Sequence, residues 1–490
     1  MSVLLPRRRI GRLAIYCVCL CLVAIAADLI VVQIGNEIRP GYETTRITSP
    51  ILPDGSVDYL MAIENDYSSG ITEENNAAPL IIRALGRIAL SKDQPPDGIT
   101  DRLGMAHLPE VGDYFVTYDD YCHDHSISGD AAFGADSPLS WPLTITPSVR
   151  DWIKANQKPL DLIVQATGRE RFYIPWDAGN RPDSLEEVLL PYLNHLQLAA
   201  QCLLARSVVR LQAGDIAGFQ DDVLSVHRLA RLVDQTPTLV ELVVALGPIE
   251  TDACHVDRLA ADSGKLSSDQ ARNLADQLNA LRDLKPYVDK VDRGERYMTL
   301  DLMQIIAHAS LERRTRIVNQ IAYSDIPEFI IRFGPIDCEA AMQTLNQCYD
   351  GLIIAATQPT FSRRIAAMQL WAERINQWRQ RDPFLNALTP DWPACSLMPT
   401  LERLETRVTS TKMERRITVI ALLLTAYKAD HGTYPESLAS LPVDSTDLFN
   451  DQPLVYAAHA NGYEVHTSRP DLFTAAEVRA DFDAIFNSRR

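Results

Sequence analysis

The densest group of potential metal ligands in the sequence is the stretch from Asp119 to His125, which reads Asp-Asp-Tyr-Cys-His-Asp-His. If this stretch forms a strand, His123 and His125 lie on one face, because alternate residues of a strand point to the same side. With Asp120 they offer two imidazoles and a carboxylate, a ligand set that zinc hydrolases use. The candidate metal ligands are therefore His123, His125 and Asp120.

Two features of the sequence oppose a metal site in this stretch. It contains no spaced ligand motif such as His-Glu-x-x-His. A segment rich in glycine and serine follows it, where polar residues are expected without any metal. No metal or other cofactor is therefore predicted, and a metal-dependent hydrolase that uses residues 119–125 is kept as the alternative.

A second group could support acid–base chemistry. Asp292-Arg293-Gly294-Glu295-Arg296 is followed by Asp301. Asp292 and Arg296 are four residues apart, so a helix would bring them together as an ordinary surface ion pair, and this interpretation is favoured. Four single histidines in predicted helices are expected to be structural or solvent-facing: His195, His227, His255 and His308.

Familiar catalytic signatures are missing from the sequence. It has no Gly-x-Ser-x-Gly elbow, no phosphate-binding loop of the GxxxxGK[ST] type and no GxGxxG after a predicted strand. Six cysteines lie outside the N-terminal apolar run, and no Cys-x-x-Cys pair suggests zinc binding or redox exchange. Cys338 and Cys348 should share a helix, where about 15 Å separates them, too far for a disulfide. No catalytic residue is predicted.

The charge of the chain excludes one class of partner. The sequence has 47 basic and 64 acidic residues, a net charge of −17. Such a surface repels phosphates, so nucleic acid is not expected to bind directly.

The N-terminus carries the pattern of a membrane anchor. Four arginines, at positions 7, 8, 9 and 12, precede an apolar run at residues 13–34 in which Asp28 is the one charge. As a helix this run would span about 33 Å, enough for a bilayer core. The arginines predict that residues 1–12 stay in the cytoplasm and that the bulk of the chain, from residue 35 onward, is periplasmic. A cleaved signal peptide ending near Ala24-Ile25-Ala26 is the alternative.

Beyond that run, helical periodicity dominates. Apolar residues recur every three or four positions on both sides of Gly214-Asp215, which predicts two antiparallel helices between Ser184 and Val233. Further helical patterns make the predicted class mainly α, a multi-helix antiparallel ectodomain. The predicted segments are a tether at 35–56, a mixed α/β segment at 57–176 with a strand-like Tyr114–Tyr118, a helical core at 183–400, and a long helix with a C-terminal hairpin segment at 401–490.

The C-terminal segment has a clear local signature. A helix ending near Gly432 is followed by Tyr434-Pro435, and two runs rich in valine and tyrosine then flank Asn461-Gly462. This order predicts a β-hairpin that packs on the helix, because an isolated hairpin is marginal in water. The ring of Tyr434 is expected to be buried between helix and hairpin.

Three places in the sequence carry a family resemblance. The segments Gly70–Ala78, Leu103–Val116 and Ala426–Leu438 resemble those of a group of large bacterial envelope proteins. The resemblance implies one N-terminal span, a helical ectodomain and this C-terminal signature, and it implies no catalytic residues. The C-terminal segment alone is also similar to type II secretion pseudopilins, but the prepilin site of those proteins is missing, so a shared local structure is the preferred explanation.

These patterns together favour a non-enzymatic envelope protein, anchored in the cytoplasmic membrane through residues 13–34, with a structural or protein-interaction role. Other envelope proteins are its expected partners. The metal-dependent hydrolase described above is the alternative from another class. A secretion-associated factor is a weaker third hypothesis.

Overall fold

The computed structural model describes residues 38–87, 90, 96–127, 145–176, 184, 185, 188, 190–321, 337–381, 391–459 and 462–468. Within these residues the protein is mainly α-helical and carries one two-stranded antiparallel sheet near its C-terminus. The predicted fold class is confirmed in this form.

Most of the described chain lies in helices that the apolar periodicity predicts. The helices before the central pair are α1 (Tyr59–Ser68), α2 (Ala78–Leu85), α3 (Pro96–Arg102), α4 (Tyr118–Asp124), α5 (Pro147–Ala155) and α6 (Gln157–Ala166). The central ones are α7 (Tyr192–Ala213), α8 (Ile216–Val233), α9 (Leu239–Val244), α10 (Asp252–Asp262), α11 (Ser268–Ala280), α12 (Arg296–His308) and α13 (Leu311–Ile321). After them come α14 (Cys338–Ala356), α15 (Phe361–Arg379), α16 (Trp392–Leu397) and α17 (Glu402–His431).

Two segments have the wider π-helical turn. The first, π1, covers Ala245–Thr251 between α9 and α10, and the second, π2, covers Lys290–Glu295 before α12. Pro248 lies inside π1 and has no N–H for the regular helical hydrogen bond, which favours a local departure from the α-helix. Both segments carry buried charged side chains, so the departures occur where charge is packed into the core.

The turn between α7 and α8 has the predicted geometry. Gly214 ends α7 in the left-handed conformation, with φ of 82°. Asp215 caps α8 by accepting a hydrogen bond from the N–H of Gly218. The capping box at Ser267 and Gln270 is also confirmed at the start of α11. These caps satisfy backbone groups that a buried helix end would otherwise leave unpaired.

The long helix α17 links two apolar clusters. Its first turns, with Leu404, belong to a cluster formed by α1, π2, α12 and α14–α16. Its second half, with Ile420 and Leu424 fully buried, belongs to a larger cluster that includes α2, α5–α8, α10 and α11. Charged and polar residues interrupt its apolar faces, and Arg415 and Arg416 reach out to neighbouring backbone carbonyls.

The C-terminal hairpin is confirmed. Strand β1 (Val455–Ala458) pairs with β2 (Tyr463–His466) in the register Tyr456 opposite Val465. Tyr463 and Val465 are buried against the larger cluster, as the dependence of a hairpin on its helix requires. Tyr434 is half-buried, less than expected, with its ring 5.2 Å from that of Tyr463 and with the ammonium of Lys428 above it.

The strand-like stretch 114–118 is not a strand. Residues 114–117 are irregular and Tyr118 begins α4. The N–H of Phe115 donates to the carbonyl of Ala84, and the N–H of Val116 donates to the side chain of Asn156. The backbone of this stretch is thus satisfied by a helix end and a side chain, so it needs no neighbouring strand.

The transmembrane and single-pass prediction requires a correction. No helix in the described part of the chain is long and apolar enough to cross a membrane. The segment predicted to span, residues 13–34, lies outside the described residues. The periplasmic location of the remainder rests on the same N-terminal residues and stays a prediction.

Gly294 allows the close approach of two segments, and its replacement should be costly. A Cβ atom at this position in π2 would overlap the backbone carbonyl of Pro237. Gly294→Ala is therefore expected to lower the free energy of unfolding by about 1–3 kcal/mol, measured by urea unfolding. Gly462→Ala is the control, because no atom lies within 4 Å of its Cβ position. Equal stability of both variants would contradict this packing.

Candidate functional site

The predicted metal stretch is helical. Residues 118–124 form α4, capped by Thr117, whose hydroxyl donates to the carboxylate of Asp120 at 2.6 Å. The ring of His125 stacks on Tyr121 with centroids 4.1 Å apart, and its Nδ1 lies 2.8 Å from the Tyr121 carbonyl oxygen. His123 is exposed. Two residues along a helix turn by about 200°, so the helix does not give the imidazoles the shared face on which the metal hypothesis depended.

The ion pair between Asp292 and Arg296 is present, with 2.9 Å between carboxylate and guanidinium. It differs from the predicted surface pair because Arg296 is fully buried and also contacts Asp350 at 2.8 Å and Asn346. Asp301 accepts a hydrogen bond from the Leu185 N–H at 2.9 Å. These carboxylates hold helices together.

The structure brings a different set of groups together in the core. His227 of α8 is fully buried and lies between two carboxylates. Its Nδ1 is 2.9 Å from Glu250 of π1, and its Nε2 is 2.9 Å from Asp257 of α10. Among the four single histidines, His227 has an ionisable side chain within hydrogen-bond distance of each ring nitrogen.

Arg231 lies one turn after His227 on α8 and also binds the carboxylate of Glu250. Its guanidinium donates to both carboxylate oxygens, with 2.8 Å between Nη2 and Oε1. The Nε of Arg231 donates to the carbonyl of Arg282 at 3.1 Å. Two cations thus face two buried carboxylates, and a buried charge is tolerated only when it is paired in this way.

A second buried ion pair extends this network to the long helix. Arg258 of α10 contacts Glu414 of α17 at 2.6 Å and donates to the hydroxyl of Thr418 at 2.9 Å. The thiol of Cys254 lies on the same helix and is fully buried. Its sulfur, an imidazole nitrogen of His227 and a carboxylate oxygen of Glu250 all lie within 4.8 Å of one another.

These contacts determine which side chains of the cluster carry a proton. Burial alone would lower the pKa of His227, but Glu250 and Asp257 outweigh it and raise this pKa to about 9. Burial opposes ionisation of Glu250, yet His227 and Arg231 hold its pKa well below the usual range. Burial raises the pKa of Asp257 and, strongly, that of the Cys254 thiol. At neutral pH, His227 and Glu250 are therefore an ion pair beside a neutral thiol.

Gly247 and π1 position Glu250. The guanidinium of Arg407 from α17 lies against the backbone of Gly247, in the space that a Cβ atom would occupy. π1 then leads directly into α10, and Glu250, Cys254 and Asp257 follow at spacings of four and three. This spacing keeps all three on one side of the helical segment. The π-turn and this spacing place the three side chains next to His227.

A second polar cluster lies nearby. Lys290 of π2 is buried and donates to the backbone carbonyls of Asp234 and Thr236. Burial lowers its pKa to about 8. Glu241 is also fully buried, where it accepts hydrogen bonds from the hydroxyls of Tyr192 and Thr238. These groups connect α7, α9 and π2.

An open cleft of about 300 Å³ is found elsewhere, at α12. Its polar lining includes Asp54, Gln304 and His308. Gln304 binds both the N–H and the carbonyl of Val57, at 2.9 and 3.0 Å, and Asp54 accepts from the hydroxyl of Ser56 at 2.6 Å. The imidazole of His308 is exposed and its Nδ1 lies 3.0 Å from the Gln304 carbonyl. These side chains are mainly engaged in fixing the 51–57 turn.

The other predicted histidines have local roles. The Nδ1 of His195 lies 3.3 Å from the carbonyl oxygen of Pro191. Burial lowers the pKa of His255 to about 4, so its imidazole is neutral at physiological pH. The sequence prediction of structural roles is consistent with these two. It missed the cluster at His227, for which the available signal was the spacing of Glu250, Cys254 and Asp257, which places them on one face of a helix.

The His227 ion pair should make stability depend on pH. Because its pKa is higher in the folded than in the unfolded state, its stabilisation is complete below about pH 6.5 and is lost as the pH rises through about 9. His227→Gln should therefore destabilise the protein most at pH 6, by an amount that shrinks by about 3 kcal/mol by pH 10.

Urea unfolding at several pH values, in buffer with a chelator, measures this difference. Lys290 acts with the opposite sign above pH 8 but is common to both proteins and cancels. His123→Gln is the control, because His123 is exposed and should show no such trend. A difference between His227→Gln and the native chain that is constant with pH would contradict the ion pair.

Comparisons with known proteins were made for the whole chain. It matches no protein-family model, no curated protein and no solved structure. The resemblance to large bacterial envelope proteins and the similarity of the C-terminal segment to pseudopilins therefore stay predictions from the sequence. Function has to be inferred from the geometry described above.

Proposed function

We propose that this chain is a non-enzymatic helical protein whose role is to bind another protein. The groups with catalytic potential that the described residues bring together, around His227, are fully buried and balanced as ion pairs. General acid–base catalysis requires contact with the reacting group, and these side chains are not exposed to solvent. The cluster therefore supports a structural interpretation.

The observation that carries the proposal is a pair of exposed large apolar side chains on the α14–α15 hairpin. Ile354 of α14 is 63% exposed and Leu370 of α15 is 68% exposed. Gly351, one turn before Ile354, lies against the ring of Trp371, next to Leu370, so the two exposed side chains belong to the same region of the hairpin. Large apolar side chains grouped on a surface are typical of protein-binding sites.

The charge of this region differs from that of the whole chain. Helix α15 contains four arginines and one glutamate, whereas the protein has a net charge of −17. Arg374 is exposed and its guanidinium lies 5.2 Å from the ring of Trp371 and 5.3 Å from that of Trp378. Tryptophan and arginine are enriched at binding hot spots. The partner that fits this face is a protein with an apolar anchor and acidic neighbours.

The acidic remainder of the protein supports the choice of partner class. Nucleic acid would need a basic surface of many phosphate contacts, and a net charge of −17 opposes it. The α4 helix, with its imidazoles on different sides, lends no support to a hydrolase based on residues 119–125. A secretion-associated role stays a prediction. The photo-crosslinking experiment described next also tests it, because the crosslinked partner can be identified.

Site-specific photo-crosslinking in living cells tests the proposed face. A photoreactive amino acid at Leu370 should give a discrete adduct with another protein, because this side chain is largely exposed and adjacent to Trp371. Arg374→Glu should reduce the adduct several-fold by reversing the charge that attracts an acidic partner. Arg374 is exposed, so this change should leave the melting temperature nearly unchanged.

The control places the photoreactive group at Val111, which is 89% exposed and lies outside the α14–α15 hairpin. It should give no discrete adduct. The same adducts from both positions, or none from Leu370 in cells that express the chain normally, would contradict the proposal.

A further inference from the structure

We propose that His227, Glu250 and Cys254 form a buried binding site for a divalent transition metal ion, with Zn²⁺ as the best fit. The imidazole, carboxylate and thiol belong to three elements, α8, π1 and α10. One potential ligand atom from each lies within 4.8 Å of the others, and all three residues are buried. The inference goes beyond the proposed partner binding and does not depend on it.

The imidazole nitrogen and the carboxylate oxygen need only a small adjustment to accept a zinc ion. Zinc binds nitrogen and oxygen at about 2.0–2.2 Å and sulfur at about 2.3 Å, so tetrahedral ligand atoms lie about 3.3–3.7 Å apart. Nδ1 of His227 and Oε2 of Glu250 are 2.9 Å apart, as in a hydrogen bond. Admitting the ion requires this pair to separate by a few tenths of an ångström, a shift that side-chain rotation can supply.

The surrounding groups are those that orient metal ligands. The other nitrogen of His227, Nε2, lies 2.9 Å from Oδ2 of Asp257, and a ligating histidine usually donates its second N–H to a carboxylate in this way. Arg231 holds the carboxylate of Glu250 through both oxygens, so Oε2 is shared between Arg231 and His227. Oδ1 of Asp257 is buried and accepts no hydrogen bond from the described residues.

The charges balance with and without the ion. Without it, the positive His227 and Arg231 face the negative Glu250 and Asp257. With a dication, His227 becomes neutral and Cys254 becomes a thiolate, so one metal ion replaces two protons and the sum stays at zero. No buried net charge is created, which is the main obstacle to metal binding in an apolar core.

The ligand chemistry selects the ion. Thiolate and imidazole favour zinc and similar transition metals over magnesium and calcium, which prefer oxygen ligands. The three ligand residues are buried, so the ion would have a structural role and link α8 to the π1–α10 segment. With three protein ligands, a tetrahedral zinc ion keeps a fourth position, which a water molecule would fill.

Metal analysis of the purified full chain tests the site. We expect one zinc ion per chain by mass spectrometry of the elements. After exchange, Co²⁺ should show the near-ultraviolet charge-transfer band of a cobalt–thiolate bond. Cys254→Ser should abolish this band, and His227→Gln should reduce the metal content to background.

Cys202→Ser is the matched control, because Cys202 is equally buried in α7 but does not belong to the three-residue group. It should keep both the zinc and the cobalt–thiolate band. The unmodified chain also serves as a test that does not depend on the folding of any variant. A chain that neither carries nor takes up Zn²⁺ or Co²⁺, a bound cobalt without the thiolate band, or equal loss in Cys202→Ser would overturn the proposal.

Discussion

In the metal-free protein, the buried carboxylate of Glu250, bound by the guanidinium of Arg231 and the imidazolium of His227, is the interaction on which the arrangement of the core depends. A carboxylate with 1% exposure cannot remain ionised unless its partners are fixed around it. Arg231 and His227 are one turn apart on α8, so the requirement fixes the rotation of α8 relative to π1. Asp257 on the far side of the imidazole then fixes α10.

The same constraint reaches the long helix. Arg258 of α10 pairs with Glu414 of α17, and Gly247 of π1 lets Arg407 of α17 approach the backbone. Because α17 contributes to both apolar clusters, its position relative to α10 affects how the two halves of the described core meet. The charged groups of the interior thus specify geometry, while burial of the apolar side chains provides most of the stabilisation.

The sequence was informative where local chemistry decides structure. Gly214 and Asp215 predict a turn because one residue tolerates a positive φ and the other caps a helix, and both effects act within a few residues. The hairpin and the capping box at Ser267 are predicted for the same reason. The prediction of a strand at Tyr114–Tyr118 was wrong because the groups that bind its backbone, on Ala84 and Asn156, are distant in sequence. His227 and Glu250 are 23 positions apart, and no local pattern indicates that a π-turn brings them together.

The most direct test of the central claim is a double-mutant cycle between Arg231 and Glu250. Urea unfolding of Arg231→Met, Glu250→Gln and the double variant gives the coupling free energy between the two side chains. We expect each single change to cost about 3–5 kcal/mol, because it leaves the opposite charge buried without its partner. The double variant should be more stable than the sum of the two predicts, with a coupling of at least about 2 kcal/mol. A coupling near zero would show that the pair does not organise the core.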